Sequence, residues 1–248
     1  DTLVVREDGR RVPIAELVGS EPAVWAIDDQ QRLVRARSDC VWSKGIKPVH
    51  RLALASGRML RATANHRVLT ATGWKALGDI GIGERVALAR HIPEPASASS
   101  WPEHELALLG HLIGDGSYPR GQPLRYTTAS EENSEIVRKA ALALGSTVTR
   151  HAGCGNRHQL VIAGNGNRWH AAGVGAWLKR LGIHGQRSHD KRVPAGLFTL
   201  SNADVAGCLR HLWATEGWIT LRKPGTRGFL IGGTAAVLWR ISRPGRVD

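Results

Sequence analysis

The residues of this sequence best suited to chemistry are two acids, each closing an apolar segment and each followed by glycine. Asp115 ends the stretch LLGHLIGD before Gly116, and Glu216 ends LRHLWATE before Gly217. A small or short residue, Gly114 or Thr215, precedes each acid. The acids lie 101 residues apart, a spacing that suits one supersecondary unit per copy. A lone acid here reads as a helix end before a glycine stop. An acid at a helix C-terminus opposes the macrodipole, however, and a matched pair asks for a reason. Gly110 and Gly114 on the first helix, with Gly207 and Ala214 on the second, would let two backbones approach as small-xxx-small pairs do. The two carboxylates would then converge and repel, unless a hard divalent cation sat between them. Mg²⁺ is satisfied by one or two carboxylates together with water and phosphate oxygens, an arrangement suited to in-line attack on a phosphodiester. The expectation is that Asp115 and Glu216 are catalytic acids and metal ligands, with Mg²⁺ as cofactor.

The elements that must position these acids follow from periodicity. PEHELALLGHLIG has Pro102 at a first helical position and Glu103 and Glu105 in the first turn. Leu106, Leu109 and Ile113 share one helical face, with Leu112 and Gly110 beside them. A second helix spans Ser130 to Gly145, with Ser130 as N-cap and Gly145 as stop. GVGAWLKRLGI is a third, ending near Gly182, and SNADVAGCLRHLWATEG a fourth, capped by Ser201 or Asn202. Between them LRYTTAS, STVTRHAG and RHQLVIAG read as strands, so residues 104–248 form an α+β domain.

Residues 1–92 have another character. Short alternating runs such as AVWAI, RLVRARSDCVW and MLRATANHRVLT, separated by Gly, Pro, Asp and Ser, predict an all-β domain. PEPASASSWPE, residues 93–103, carries three prolines and three serines and reads as a linker. GFLIGGTAAVLWRISRPGRVD shows no clear period and reads as a truncated or altered terminus.

The formal charge of +13 suggests an anionic partner, but it divides as +5 over residues 1–93 and +8 over 94–248, with no single patch. Cys40, Cys154 and Cys208 lie far apart without a CxxC pair, which argues against a disulfide framework and a zinc ribbon and fits a reducing cytoplasm. Cys154-x3-His158 has ligand-like spacing but stands alone, and reads as a loop thiol near a loop histidine. No run of apolar residues is long enough to span a membrane. The phosphate loop that a helicase requires is missing from this sequence.

LLGHLIGDGSY and LRHLWATEGWI resemble the paired motifs of LAGLIDADG homing endonucleases, enzymes that cut long double-stranded DNA sites with one metal-binding acid per helix. The resemblance implies αββαββα-type repeats, the second truncated, since the chain after Glu216 is far shorter than the stretch between Asp115 and the fourth helix. SHDKRVPAGLF resembles the family's K-x-x-P segment. By that likeness Lys191 orients or polarises the attacking water or the scissile phosphate; otherwise it is a solvated loop charge.

GRMLRATANHRVLTATGW resembles the T-x-x-H block of inteins, with Thr63 and His66 at the matching positions, and DTLVV followed by VPIAELV is similar to the segment after an intein's first residue. The resemblance covers residues 1–228 and implies the N-terminal part of a Hint-type splicing domain, with exteins as flanks. A histidine near neutrality could protonate the departing amide nitrogen. Thr63 and the backbone around Asn65 could stabilise the tetrahedral intermediate. Outside that block His66 is an exposed strand-end histidine. The nucleophile and the C-terminal His-Asn pair are not in the sequence, so the expectation is a fragment that does not splice alone and whose cleavage is impaired. The sequence is most similar to inteins of bacterial replicative DNA helicases. A non-cleaving DNA-binding module and a fragment of the host helicase are the alternatives.

Overall fold

The computed structural model describes residues 2–89, 92–164, 172–221 and 229–232. The chain divides into two units, Asp1–Ala96 and Ser97–Asp248, and the boundary falls inside the proline- and serine-rich stretch.

The first unit is four antiparallel hairpins. β1 (Leu3–Val5) pairs with β2 (Arg11–Pro13), β3 (Ala23–Ile27) with β4 (Leu33–Arg37), β5 (His50–Ala53) with β6 (Met59–Ala62), and β7 (Arg67–Thr70) with β8 (Gly73–Ala76). Strand alternation and turn chemistry produce them. Gly57, at φ 80°, closes the β5–β6 turn in a conformation side chains resist. The hairpins bury little: Leu17 and Leu77 are its buried large apolar side chains among the described residues, while Trp42, Ile46, Val49, Trp74 and Ile82 are exposed.

The second unit opens with α1 (Glu103–Asp115), β9 (Gly116–Ser117), β10 (Leu124–Thr128), α2 (Glu131–Ala143), β11 (Ser146–Ala152), β12 (His158–Gly164) and α3 (Gly173–Arg180). This is an α-β-β-α-β-β-α order. Then come α4 (Asn202–Glu216) and a hairpin of β13 (Trp218–Leu221) with β14 (Phe229–Gly232). The large sheet runs β11-β12-β10-β9, antiparallel throughout. Its alternation decides its faces. Leu124, Tyr126, Leu160 and Ile162 point into one core with Leu108, Leu112, Val137 and Trp177 of the helices. Burying each such side chain is worth about 1.5–3 kcal/mol, so this layer is the main source of the unit's stability.

Local signals set the helix ends. Ser130 accepts from the Asn133 N–H at 3.2 Å and Ser201 from the Asp204 N–H at 3.1 Å, each satisfying a donor of the first turn. Gly145 and Gly182 follow α2 and α3 at φ 77° and 70°. Three sequence expectations are corrected. Pro102 is the N-cap residue of α1, one place earlier than expected. α1 is not one-faced: every residue from Leu106 to Ile113 is buried, because the helix lies between the sheet, α2 and α4. The end of the expected linker is not free chain. Ser99 bridges to Leu200, its N–H donates to the Thr199 carbonyl at 3.0 Å, and Trp101 donates to Asp204 at 3.2 Å. The expected altered terminus, residues 228–248, lies almost wholly outside the described residues.

Candidate functional site

α1 and α4 run side by side and in the same direction. Three contacts in register fix this. Gly207 faces Leu106, Gly110 faces Cys208, His211 and Leu212, and Gly114 faces Thr215. A Cβ on Gly110 would stand 2.6 Å from the Cys208 carbonyl oxygen and 2.7 Å from the Leu212 nitrogen. Those are backbone atoms, so nothing can yield without moving a helix. The close approach expected of Gly110 and Gly114 is present. On the α4 side it is met by Cys208, His211, Leu212 and Thr215. Ala214 is exposed and its carbonyl accepts from Asn133 of α2, so it does not play the expected part. The helix surface carries Thr215, one residue on, toward α1.

The helices therefore end together, α1 on Asp115 and α4 on Glu216. The glycines that follow are not left-handed stops. Gly116 has φ −76° and Gly217 φ −79°, both extended. They are required for space: a Cβ on Gly116 would meet the Leu112 oxygen at 2.5 Å, and one on Gly217 would overlap the Trp213 ring. Each chain thus turns from helix directly into strand, β9 after Asp115 and β13 after Glu216. Asp115 is half-buried. Its carboxylate lies near Tyr126, whose hydroxyl is pushed up first by burial and then by that charge. Tyr126 was missed in the sequence, where its place on the inward alternation of β10 is the one signal that marks it.

Lys191 reaches this tip from outside the sequence neighbourhood. It is buried, and its Nζ donates to the carbonyls of Leu112 (3.1 Å), Ile113 (2.9 Å) and Gly114 (2.9 Å). They belong to the last turn of α1, where the Leu112 carbonyl also accepts from the Gly116 N–H, and a cation there complements the helix dipole. The ammonium also lies 5.5 Å from the ring centroid of Tyr118. The solvated-charge alternative is excluded. Through these bonds Lys191 ties its own loop to the last turn of α1, beside Asp115.

Deeper in the same helix pair, His111 is fully buried. Its Nδ1 lies 3.0 Å from the Tyr126 hydroxyl, and its ring centroid lies 5.2 Å from that of His211. Burial, followed by the neighbouring His211, holds the His111 pKa down at about 4, so the ring is neutral at pH 7.

The oxygen donor character of the two acids, set at the negative ends of two helices, fits a hard divalent cation such as Mg²⁺. Among the described residues no cluster of three His, Cys, Asp or Glu side chains could bind a metal on its own. Cys154 is exposed in the turn before β12, as expected of a loop thiol, but His158 is not a loop histidine: it is buried as the first residue of β12.

The outer face of the sheet is polar. Ser117, Arg125, Val161 and Thr149 form one row across it, and Thr127, Gln159 and His151 the next. Gln159 Nε2 donates to Thr127 Oγ1 at 3.2 Å. Such a face of amides, hydroxyls and a guanidinium can address base edges and phosphates.

In the first unit, Thr63, Asn65 and His66 share the turn between β6 and β7. The His66 N–H donates to the Thr63 carbonyl at 3.0 Å, and the Thr63 hydroxyl donates to Asn65 Oδ1 at 2.7 Å. Asn65 and His66 are exposed. The His66 carbonyl accepts from Leu77, which pins the turn to the segment after β8.

No protein-family model matches the chain. Curated relatives do. The chain is 44% identical over 240 residues to the replicative DNA helicase DnaB of Rhodothermus marinus, covering 90% of this chain and 24% of that protein. It is 30% identical over 199 residues to the protein RecA of Mycobacterium bovis, covering 77% and 24%. The chain thus spans about a quarter of the length of the curated relatives it matches. Among solved structures it is similar to a DnaB intein from Synechocystis sp. PCC 6803, at 39% identity over 36% of this chain and 66% of that one, with a TM-score of 0.35. None of the described helices is long and apolar enough to cross a membrane.

Proposed function

We propose that the chain is part of an intein: a Hint-type splicing half followed by a LAGLIDADG-type endonuclease that hydrolyses double-stranded DNA with Mg²⁺. One observation carries the endonuclease half. Gly114 and Thr215 touch, and the next residue of each helix is an acid at its tip. Asp115 and Glu216 would hold the cation, which when bound activates water and offsets charge on the scissile phosphate. Lys191 fixes the α1 tip by binding its terminal carbonyls. The polar sheet face beginning at β9 would lie on the duplex.

The relatives support an inserted element. A segment shared by proteins named DnaB and RecA, and amounting to a quarter of each, is more economically an insert than a common part of both host machineries. The host, on the strength of the higher identity, is a replicative helicase, and its flanks are the exteins. The Thr63–His66 turn supports the splicing half: its hydroxyl, backbone and imidazole lie within one tight loop.

The cleavage test is incubation of the chain with Mg²⁺ and a duplex carrying an uninterrupted dnaB coding sequence. Cleavage at one position, lost in Asp115→Asn while duplex binding remains, supports the enzyme. Binding without cleavage in the unaltered chain supports a non-cleaving module. The splicing test fuses the chain behind a leading Cys and ahead of a His-Asn-containing block. Ligated flanks that disappear in His66→Ala support the assignment, and ligation indifferent to that change rejects it.

A further inference from the structure

A solvent-open cavity of about 530 Å³ lies on the second unit between the β9–β10 turn and the end of α3. It is lined by Arg120, Lys179 and His184, with Gly121 and Gly182 between them. Among the described residues that line it there is no carboxylate. We propose that this cavity is a phosphate-binding site, with the Arg120 guanidinium, the Lys179 ammonium and the His184 imidazole as its donors.

The backbone holds the three groups in place. The N–H of Gly185 donates to the Tyr118 carbonyl at 3.0 Å, and Pro119 and Gly185 form an isolated bridge. The stem of Arg120 lies over Gly185, where a Cβ would come within 2.7 Å of Arg120 Cγ. Gly185 is at φ 87°, so both its conformation and the space above it exclude a side chain. On the other wall, the N–H groups of Ile183 and His184 both bond the Leu178 carbonyl, and that of Gly182 bonds the Lys179 carbonyl. The Leu178 and Lys179 carbonyls are thus occupied, and the full charges of Arg120 and Lys179 outweigh the partial negative charge at the end of α3. His184 is held below the ordinary histidine value by burial, then by Lys179 and Arg120, which places both cations near the ring. Three donors around one hollow, without a carboxylate, match the charge and hydrogen-bonding of a phosphate. Two sources offer that chemistry, the DNA backbone and free phosphate. Only the first rests on the endonuclease reading.

The experiment follows the His184 ring proton of the whole chain by NMR across a pH titration. The probes are chloride, inorganic phosphate at equal ionic strength, and a short duplex of random sequence. An occupied site raises the His184 midpoint by about half a unit or more relative to chloride, as a nearby anion stabilises the imidazolium. The double variant Arg120→Ala/Lys179→Ala, in which both replaced side chains are exposed, has a higher midpoint in chloride and no further response to either probe. A midpoint moved by duplex identifies a backbone phosphate; one moved only by inorganic phosphate identifies the free anion. A duplex that binds while the His184 midpoint stays at its chloride value, with phosphate equally silent, overturns the site and leaves the endonuclease reading standing. Failure to bind duplex, with a phosphate response intact, rejects that reading and keeps the site.

Discussion

Gly114 of α1 lies against Thr215 of α4, so closely that a Cβ added to the glycine would stand 2.8 Å from the Thr215 Cβ. One residue further, each helix ends on its acid. The pairing of the two tips is therefore a consequence of the glycines upstream of them, and the glycines are where it can be broken.

Gly110→Ala should destabilise the second unit by about 1–3 kcal/mol, the range for overpacking, because its Cβ meets backbone of α4. Gly175→Ala, in α3, has nothing within 4 Å and should be neutral or stabilising by up to about 1 kcal/mol. Denaturant midpoints of the two variants check the contrast.

Lys191→Met keeps length and loses the ammonium. The Ile113 and Gly114 carbonyls then lose the ammonium, while that of Leu112 keeps the Gly116 N–H; with a hydrogen bond to a charged group worth about 1.5–3 kcal/mol, a loss of a few kcal/mol is expected. Cleavage should fall with it. Glutamine, which still donates, should recover part of the stability but little of the cleavage, whereas a solvated lysine would show neither effect.

Stability should fall on acidification from about pH 6.5 toward 4. The His111 pKa is about 4 in the folded chain against an ordinary 6.5. Between those values the unfolded chain binds a proton that the folded chain does not. The stabilisation is complete above pH 6.5, and its loss by pH 4 amounts to about 3 kcal/mol at 1.36 kcal/mol per unit. His111→Gln should flatten this slope in urea titrations at pH 7, 6, 5 and 4.

Gln159→Ala should change which duplexes are preferred without altering the salt dependence of binding. Arg125→Ala should weaken binding to all sequences, lowering the salt slope by about 1 if it contacts a phosphate. Both residues lie on the open face of the sheet. Binding isotherms at several salt concentrations with two unrelated duplexes separate these effects.

Much of this was legible in the sequence where the cause is local. Ser130 and Ser201 cap their helices because a hydroxyl three residues from an N–H needs no tertiary partner. The hairpins of the first unit follow from alternation and turn residues. The role of Gly110 was legible because only a close approach explains glycine inside an apolar helix. What was not legible depends on distant chain. Lys191 meets the α1 carbonyls across nearly eighty residues. Its neighbour Tyr118 and the basic cavity of Arg120, Lys179 and His184 exist only once α3 and the β9–β10 turn are packed. α1 reads as one-faced because helical periodicity reports one partner, and this helix has several.

The most direct measurement of the paired-acid claim is Mn²⁺ binding followed by electron paramagnetic resonance, with duplex present, in the unaltered chain and in Asp115→Asn, Glu216→Gln and the double variant. Two acids sharing one cation predict that either single substitution removes the tightly bound Mn²⁺ and that the double variant loses no more than a single one. Tight Mn²⁺ binding that survives Asp115→Asn or Glu216→Gln would contradict it.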